Sequence, residues 1–105
     1  MLARKRRKLL ETTGIKTTRT PKQLERHMKG VANHHRIKIL MLVGKYPNLS
    51  VDEITQRIDG HFKTISMHTL KLAQSGLMDK SYEGLTVRHR LSPYGKRIYD
   101  FLRLF

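Results

Sequence analysis

Between His61 and Gly76 the sequence carries cationic and hydrogen-bonding side chains and no acidic residue. Ile65, Thr69 and Leu72 recur at the spacing that places residues on one face of a helix, so this face is expected to pack inward. The opposite face would present side chains that can meet base edges or phosphates in a DNA groove. These are Lys63, Thr64, Ser66, Met67, His68 and Lys71. An ordinary amphipathic surface helix would carry some of the same residues.

A second group of cations follows in a segment that alternates apolar and polar residues. Residues 77–82 and 85–91 flank Glu83-Gly84, a pattern that predicts a β-hairpin with a tight turn. In the second strand, one face should carry Leu85, Val87, His89 and Leu91, and the other Thr86, Arg88 and Arg90. Lys80, Arg88 and Arg90 would then lie where a basic hairpin can flank a duplex.

The charge balance also indicates a polyanionic partner. The chain has 22 lysine and arginine residues against 8 acidic ones, a net charge of +14, and nucleic acid is the usual polyanion that such a charge meets. A ribosomal or histone-like protein, or a merely soluble basic domain, would share this balance. Residues 1–20 hold seven of the cations and one acid. They are predicted to form a basic, disordered arm that either lies along phosphates or is silent, and residues 21–105 to form the domain.

Several classes of function are not supported. Without cysteine the chain can form no disulfide, thiolate metal site or cysteine nucleophile, and the six histidines show no spacing typical of a metal site. No nucleophile and base are paired by spacing, and no glycine-rich phosphate loop occurs. No apolar run is long enough to cross a bilayer. We therefore expect a protein that is not an enzyme, uses no metal or cofactor, has no membrane partner, and is cytoplasmic and nucleoid-associated.

Signals for helix starts and turns along the chain predict the elements that position these residues. Thr20-Pro21 and Ser92-Pro93 are helix-opening pairs, and Ser50 stands three residues before Glu53, the spacing of a capping box. Helices are predicted at about 20–30, 33–44, 50–59, 63–75 and 92–105, with the hairpin before the last. The order α-α-α-α-β-β-α is a mainly α fold with a small β-hairpin, which is the plan of a winged helix-turn-helix.

Several segments resemble the ArsR-type transcription regulators in order and spacing. Residues 32–40 are similar to the family's Ala-Asn-Pro-x-Arg-x-x-Ile-Leu with His34 in place of proline, and residues 50–54 are similar to Ser-Val-x-Glu-Leu. Residues 65–78 resemble the recognition-helix pattern Val-Ser-x-His-Leu-x-x-Leu-x-x-x-Gly-Leu-Val, with Thr69 in place of leucine. The turn at 59–62 departs from the usual Gly-Leu-Ser-Gln. Residues 91–97 are closer to MarR-like winged helices, a near alternative.

The resemblance implies a homodimer that binds double-stranded DNA sequence-specifically and regulates transcription. It implies dimerisation through the first and last helices of the domain, and the last helix is more apolar than a monomer needs. The candidate interface residues are Leu24, Met28, Ile98, Phe101, Leu102 and Phe105. The family's Cys-x-Cys metal motif is absent. A non-specific architectural DNA-binding protein and a winged-helix module that binds protein or RNA remain the alternatives.

Overall fold

Five helices and a two-stranded hairpin follow one another in the computed structural model, which describes residue 14 and residues 17–105. They are α1 (Pro21–Val31), α2 (His34–Lys45), α3 (Val51–Ile58), α4 (Phe62–Gln74), β1 (Met78–Glu83), β2 (Thr86–Leu91) and α5 (Pro93–Leu102). This order confirms the predicted α-α-α-α-β-β-α arrangement. Residues 1–13, 15 and 16 of the predicted basic arm lie outside the described residues. None of the described helices is both long and apolar enough to cross a membrane.

Side-chain caps begin the helices where the sequence signals predict. The Ser50 hydroxyl accepts a bond from the Glu53 amide at 3.2 Å, and the Glu53 carboxylate accepts one from the Ser50 amide at 3.1 Å. Thr20 and Gln23 form a second such box at the start of α1, where the sequence indicated only the first half. Each box satisfies two backbone donors that a helix start leaves free, so the starts of α1 and α3 are fixed locally.

α2 lies in the middle of the fold and contacts each of the other four helices and β2. Ile39 and Leu40 of α2 are fully buried together with Ile54 of α3 and Leu72 of α4. Leu77, in the connection from α4 to β1, is buried to the same extent. Because α4 is fixed through this core, its solvent-facing side has a defined orientation.

The hairpin pairs β1 and β2 antiparallel, with Met78 opposite Leu91 and Glu83 opposite Thr86. The turn is one residue later than predicted, at Gly84-Leu85, and Gly84 adopts the left-handed conformation that glycine tolerates best. The expectation that Leu85 shares an inward face with His89 is wrong, because Leu85 sits in the turn and is fully exposed. His89 is buried, and its Nδ1 lies 2.9 Å from the carbonyl oxygen of Leu49.

The first turn of α5 lies directly against the connection that precedes the hairpin. An ideal Cβ added to Gly95 would lie 1.9 Å from the carbonyl oxygen of Leu77. That oxygen accepts a hydrogen bond from the Ser92 amide at 3.1 Å, so this part of the backbone is held in place and cannot move away from an added side chain. Only glycine therefore allows this contact between α5 and the start of the hairpin.

Gly95→Ala should consequently lower the free energy of unfolding by about 2 kcal/mol or more, since over-packing usually costs roughly 1–3 kcal/mol. Urea denaturation measures the decrease. Lys96→Ala, at the exposed neighbouring position, is the matched control and should change stability little. Equal stability of the two variants would contradict the close contact.

Candidate nucleic-acid interface

The solvent-facing side of α4 carries polar and cationic groups and no acidic residue. Ile65, Thr69 and Leu72 pack inward as predicted, and the Thr69 hydroxyl donates to the Ile65 carbonyl oxygen at 2.8 Å. The exposed residues of this helix after its first position are Lys63, Thr64, Met67, Leu70, Lys71 and Gln74. Ser66 is half-buried at the edge of this surface. We call these seven residues the α4 face.

Two members of the α4 face were not among the predicted site residues. Leu70 and Gln74 follow Lys63 and Met67 at the helical spacing i, i+4, i+7 and i+11, so all four residues share one stripe. The sequence contained this signal, but the prediction selected residues by hydrogen-bonding type and the family motif. An exposed leucine on such a stripe can contact thymine methyl groups.

The expectation that His68 faces outward is wrong. Only 6% of His68 is exposed, because it stands three residues after Ile65 and four before Leu72, on the inward side of the helix. Its ring stacks on His35 with 5.3 Å between ring centroids, and its Nδ1 lies 3.3 Å from a guanidinium nitrogen of Arg36. Arginine is always a donor, so Nδ1 of His68 accepts and the ring is held neutral.

Arg36 connects three helices at this point. Its Nε donates to the carbonyl oxygen of Gly30 in α1 at 2.6 Å, while its Nη1 reaches His68 in α4. Arg36 itself lies in the first turn of α2, where its amide bonds to the Asn33 cap. His68 and Arg36 therefore fix the position of α4 from behind the α4 face.

Acidification should destabilise the fold through two buried histidines. Burial lowers the pKa of His68 below the ordinary 6.5, and the charges of Arg36, His35 and other nearby cationic groups lower it further. Burial also lowers the pKa of His89, although the bond to Leu49 opposes the shift. As the pH falls through about 6.5, these histidines bind protons in the unfolded chain but not in the folded chain. The free energy of unfolding should therefore be highest above that pH and decrease below it.

Urea titrations across this pH range measure the decline. His68→Gln and His89→Gln should each flatten it, whereas His61→Gln, at an exposed position, should leave it unchanged. A slope unaffected by both buried replacements would contradict this assignment.

The hairpin presents two of its three predicted cations to solvent. Lys80 and Arg90 are exposed, on paired strands. Arg88, which was predicted to contact DNA, forms ion pairs within its own chain. Its Nη1 lies 2.5 Å from the Glu53 carboxylate and its Nε 3.4 Å from that of Glu83. Bonds from Ser50, followed by the charge of Arg88, lower the pKa of Glu53, so this carboxylate stays ionised and ties the hairpin to α3.

Part of the predicted dimer surface is exposed and part belongs to the core. Met28 and Phe101 are more than half exposed, and Leu24 more than a third. The Phe105 ring meets the Phe101 ring edge-on, with 5.3 Å between centroids, and is almost fully exposed. Leu102 is half-buried against the core. Ile98 is the exception, because it is only 9% exposed and packs within its own chain.

The described residues contain no group of three or more histidine, cysteine or acidic side chains that could hold a metal ion.

No protein-family model matches the chain, and no curated protein sequence matches it. Solved structures do match. HlyU from Vibrio cholerae is 29% identical over 79% of this chain and 91% of its own, with a TM-score of 0.71.

Two further structures share the fold at lower identity. A homodimeric winged helix-turn-helix DNA-binding domain from Mycobacterium bovis, described as a possible ArsR-family regulator, is 24% identical over 79% of this chain and 77% of its own, with a TM-score of 0.72. The transcriptional repressor PagR of Bacillus anthracis is 23% identical over 77% of this chain and 93% of its own, with a TM-score of 0.72. These neighbours confirm the predicted winged helix-turn-helix fold.

Proposed function

From the ArsR-type winged helix-turn-helix fold that the chain shares with these neighbours, we propose that it is a sequence-specific DNA-binding transcription regulator acting as a homodimer. In this mechanism the α4 helices of two copies enter successive major grooves about one helical turn apart. The hairpin is the wing, and it lies against the flanking backbone.

The α4 face is the observation that carries this proposal. It combines cations with groups that can read base edges, and no acidic residue lies between His61 and Gly76 to repel phosphate. The helix is also held rigidly, through its buried side and the Arg36 contact with His68. A protruding helix with these properties fits the major groove, where each base pair presents a distinct pattern of donors, acceptors and methyl groups.

We assign different tasks to the residues of the interface. Thr64, Ser66 and Met67 face the bases, and Lys63 and Lys71 neutralise phosphates on either side. Lys80 and Arg90 of the wing contact the backbone or the minor groove. His68 and Arg88 act indirectly, since the first supports α4 from behind and the second braces the wing against α3. Leu70 and Gln74 extend the reading surface along the groove.

The apolar side chains that α1 and the end of α5 expose support homodimerisation. Leu24 and Met28 lie on one helix, and Phe101 and Phe105 at the end of the chain. Large apolar side chains are costly to leave in water when they adjoin one another, and a second copy of the chain would cover them. Dimerisation doubles the number of α4 faces, which raises affinity for a site with two halves.

A gel-shift experiment with the DNA upstream of the protein's own gene, against random DNA of the same length, tests this function. Regulation by sequence requires a clear preference for one DNA fragment over random DNA at physiological salt. The high net charge favours one other candidate, a non-specific architectural protein. That candidate binds all fragments equally and loses affinity to all of them in parallel as salt rises.

A further inference from the structure

A groove of about 320 Å³ runs between the start of α1 and α5, on a different part of the molecule from the α4 face. Residues 17–19 form one wall, α1 contributes His27, and α5 contributes Tyr94 and Arg97. This volume is near the lower end of the range for pockets that hold small organic molecules. The DNA-binding mechanism gives this groove no task.

The polar lining of the groove is cationic. The guanidinium carbon of Arg19 lies 3.9 Å from the centroid of the Tyr94 ring, and that of Arg97 lies 5.3 Å from the same centroid. The Thr18 hydroxyl adds a hydrogen-bond donor, whereas the Thr17 hydroxyl already donates to the Arg19 carbonyl oxygen. None of the described residues that line the groove is acidic. Two arginines with no carboxylate among the lining residues favour an anionic occupant.

Two buried nitrogen atoms in the groove wall have no hydrogen-bond partner among the described residues, Nε of Arg19 and Nε2 of His27. His27 is only 5% exposed, its ring stacks on Tyr94 at 4.9 Å, and its Nδ1 bonds the carbonyl oxygen of Ser75 at 2.7 Å. An unsatisfied buried donor or acceptor is costly and uncommon in folded proteins. Nδ1 of His27 donates to the Ser75 carbonyl oxygen, so Nε2 of the neutral ring is an acceptor. An acceptor oxygen entering beside Tyr94 would therefore supply the partner that Nε of Arg19 lacks.

The remaining lining is apolar. Leu24 and Met28 of α1 and Ile98 of α5 lie along the groove, next to the aromatic ring of Tyr94. A hydrated inorganic anion would gain nothing from these side chains. A flat or aliphatic body attached to the anionic group would bury apolar surface there.

We propose that this groove is a binding site for a small organic carboxylate with an apolar body. Its carboxylate pairs with Arg19 and Arg97 beside Tyr94, and its apolar body lies against Leu24, Met28 and Ile98. The site is independent of the α4 face, so it holds whether or not the protein reads a DNA sequence. Because Leu24 and Met28 also belong to the proposed dimer surface, an occupant would sit at the edge of that surface.

Calorimetric titration of the full chain with 2-naphthoate, in the absence of DNA, tests the site. The uncharged 2-naphthamide has nearly the same shape and isolates the contribution of the carboxylate. We expect 2-naphthoate to bind at least tenfold more tightly than the amide. Arg97→Gln and Arg19→Gln should each weaken naphthoate binding several-fold and leave amide binding nearly unchanged.

Arg103→Gln is the matched control, because Arg103 directly follows α5 and stacks on a tyrosine at 5.3 Å, but it does not line the groove. This variant should bind naphthoate like the unmodified protein. Equal affinity for acid and amide, equal affinity of the Arg97 and Arg103 variants, or no naphthoate binding at millimolar concentration would each overturn the proposal. A negative gel shift would bear only on the regulatory function.

Discussion

Replacing Lys63 and Lys71 together by glutamate should reduce affinity for every DNA fragment by on the order of 100-fold. Both lysines are exposed on the α4 face, and the change turns two phosphate-pairing cations into groups that repel phosphate. Each lysine that no longer neutralises a phosphate should also reduce the slope of log affinity against log salt by about 0.9, so the slope should fall by about 2. Fluorescence anisotropy with labelled DNA at several salt concentrations measures both effects.

The control makes the same change in net charge elsewhere on the molecule. Lys38 and Lys45 are exposed lysines of α2, and Lys38→Glu with Lys45→Glu should weaken binding far less. Equal decreases in affinity for the two double variants would mean that net charge alone drives binding. The α4 face would then have no special task, and the architectural alternative would be favoured.

Met28→Glu combined with Phe101→Glu should give a folded monomer. Both side chains are more than half exposed in one copy, so the changes disturb little of its core, yet they place two carboxylates in the proposed dimer surface. Replacing two apolar side chains by charged ones that the interface would bury should raise the dissociation constant of the dimer by about 100-fold or more. Sedimentation velocity at tens of micromolar measures it, and circular dichroism verifies the fold.

Leu85→Glu serves as the control for self-association, because Leu85 is a fully exposed apolar residue at the wing tip, outside the surface formed by α1 and α5. This variant should sediment as the unmodified protein does. The dimer surface is wrong if the unmodified protein is already monomeric under these conditions, or if the Met28 and Phe101 variant remains dimeric.

Local signals in the sequence predicted the elements well, because they depend on neighbours within one turn. The capping box of Ser50 and Glu53 and the proline after Ser92 each act over at most three residues, and both appear as expected. The inward face of α4 was also predictable, since Ile65 and Leu72 lie on one side of a helix whatever the rest of the chain does. The spacing of Ile65 and Leu72 defines which side of α4 carries its cations, although no side-chain cap marks the start of this helix.

Apart from Leu85, where the turn lies one residue later than predicted, the errors concern contacts between residues far apart in sequence. His68 was assigned to the outer face by residue type, but Arg36 of α2 provides a buried partner for it. Arg88 was assigned to DNA contact, but Glu53 lies beside it only because α3 and the hairpin meet in the fold. In the same way, the groove at Tyr94 depends on the meeting of α1 and α5, which no spacing along the chain indicates.

The bonds that hold the wing to the rest of the domain affect how much conformational entropy the wing must lose when it binds a partner. At its base, the His89 backbone exchanges two bonds of 2.9 Å with residues 48 and 49, and Arg88 reaches Glu53 of α3. The tip at Gly84-Leu85 makes no such bond to the described rest of the chain. The conformational entropy of the strands is therefore given up during folding rather than at encounter, which leaves more of the interaction energy for affinity. The amides at the wing base should therefore exchange their hydrogens slowly, like those of the core, and the amides at the tip should exchange independently of the core.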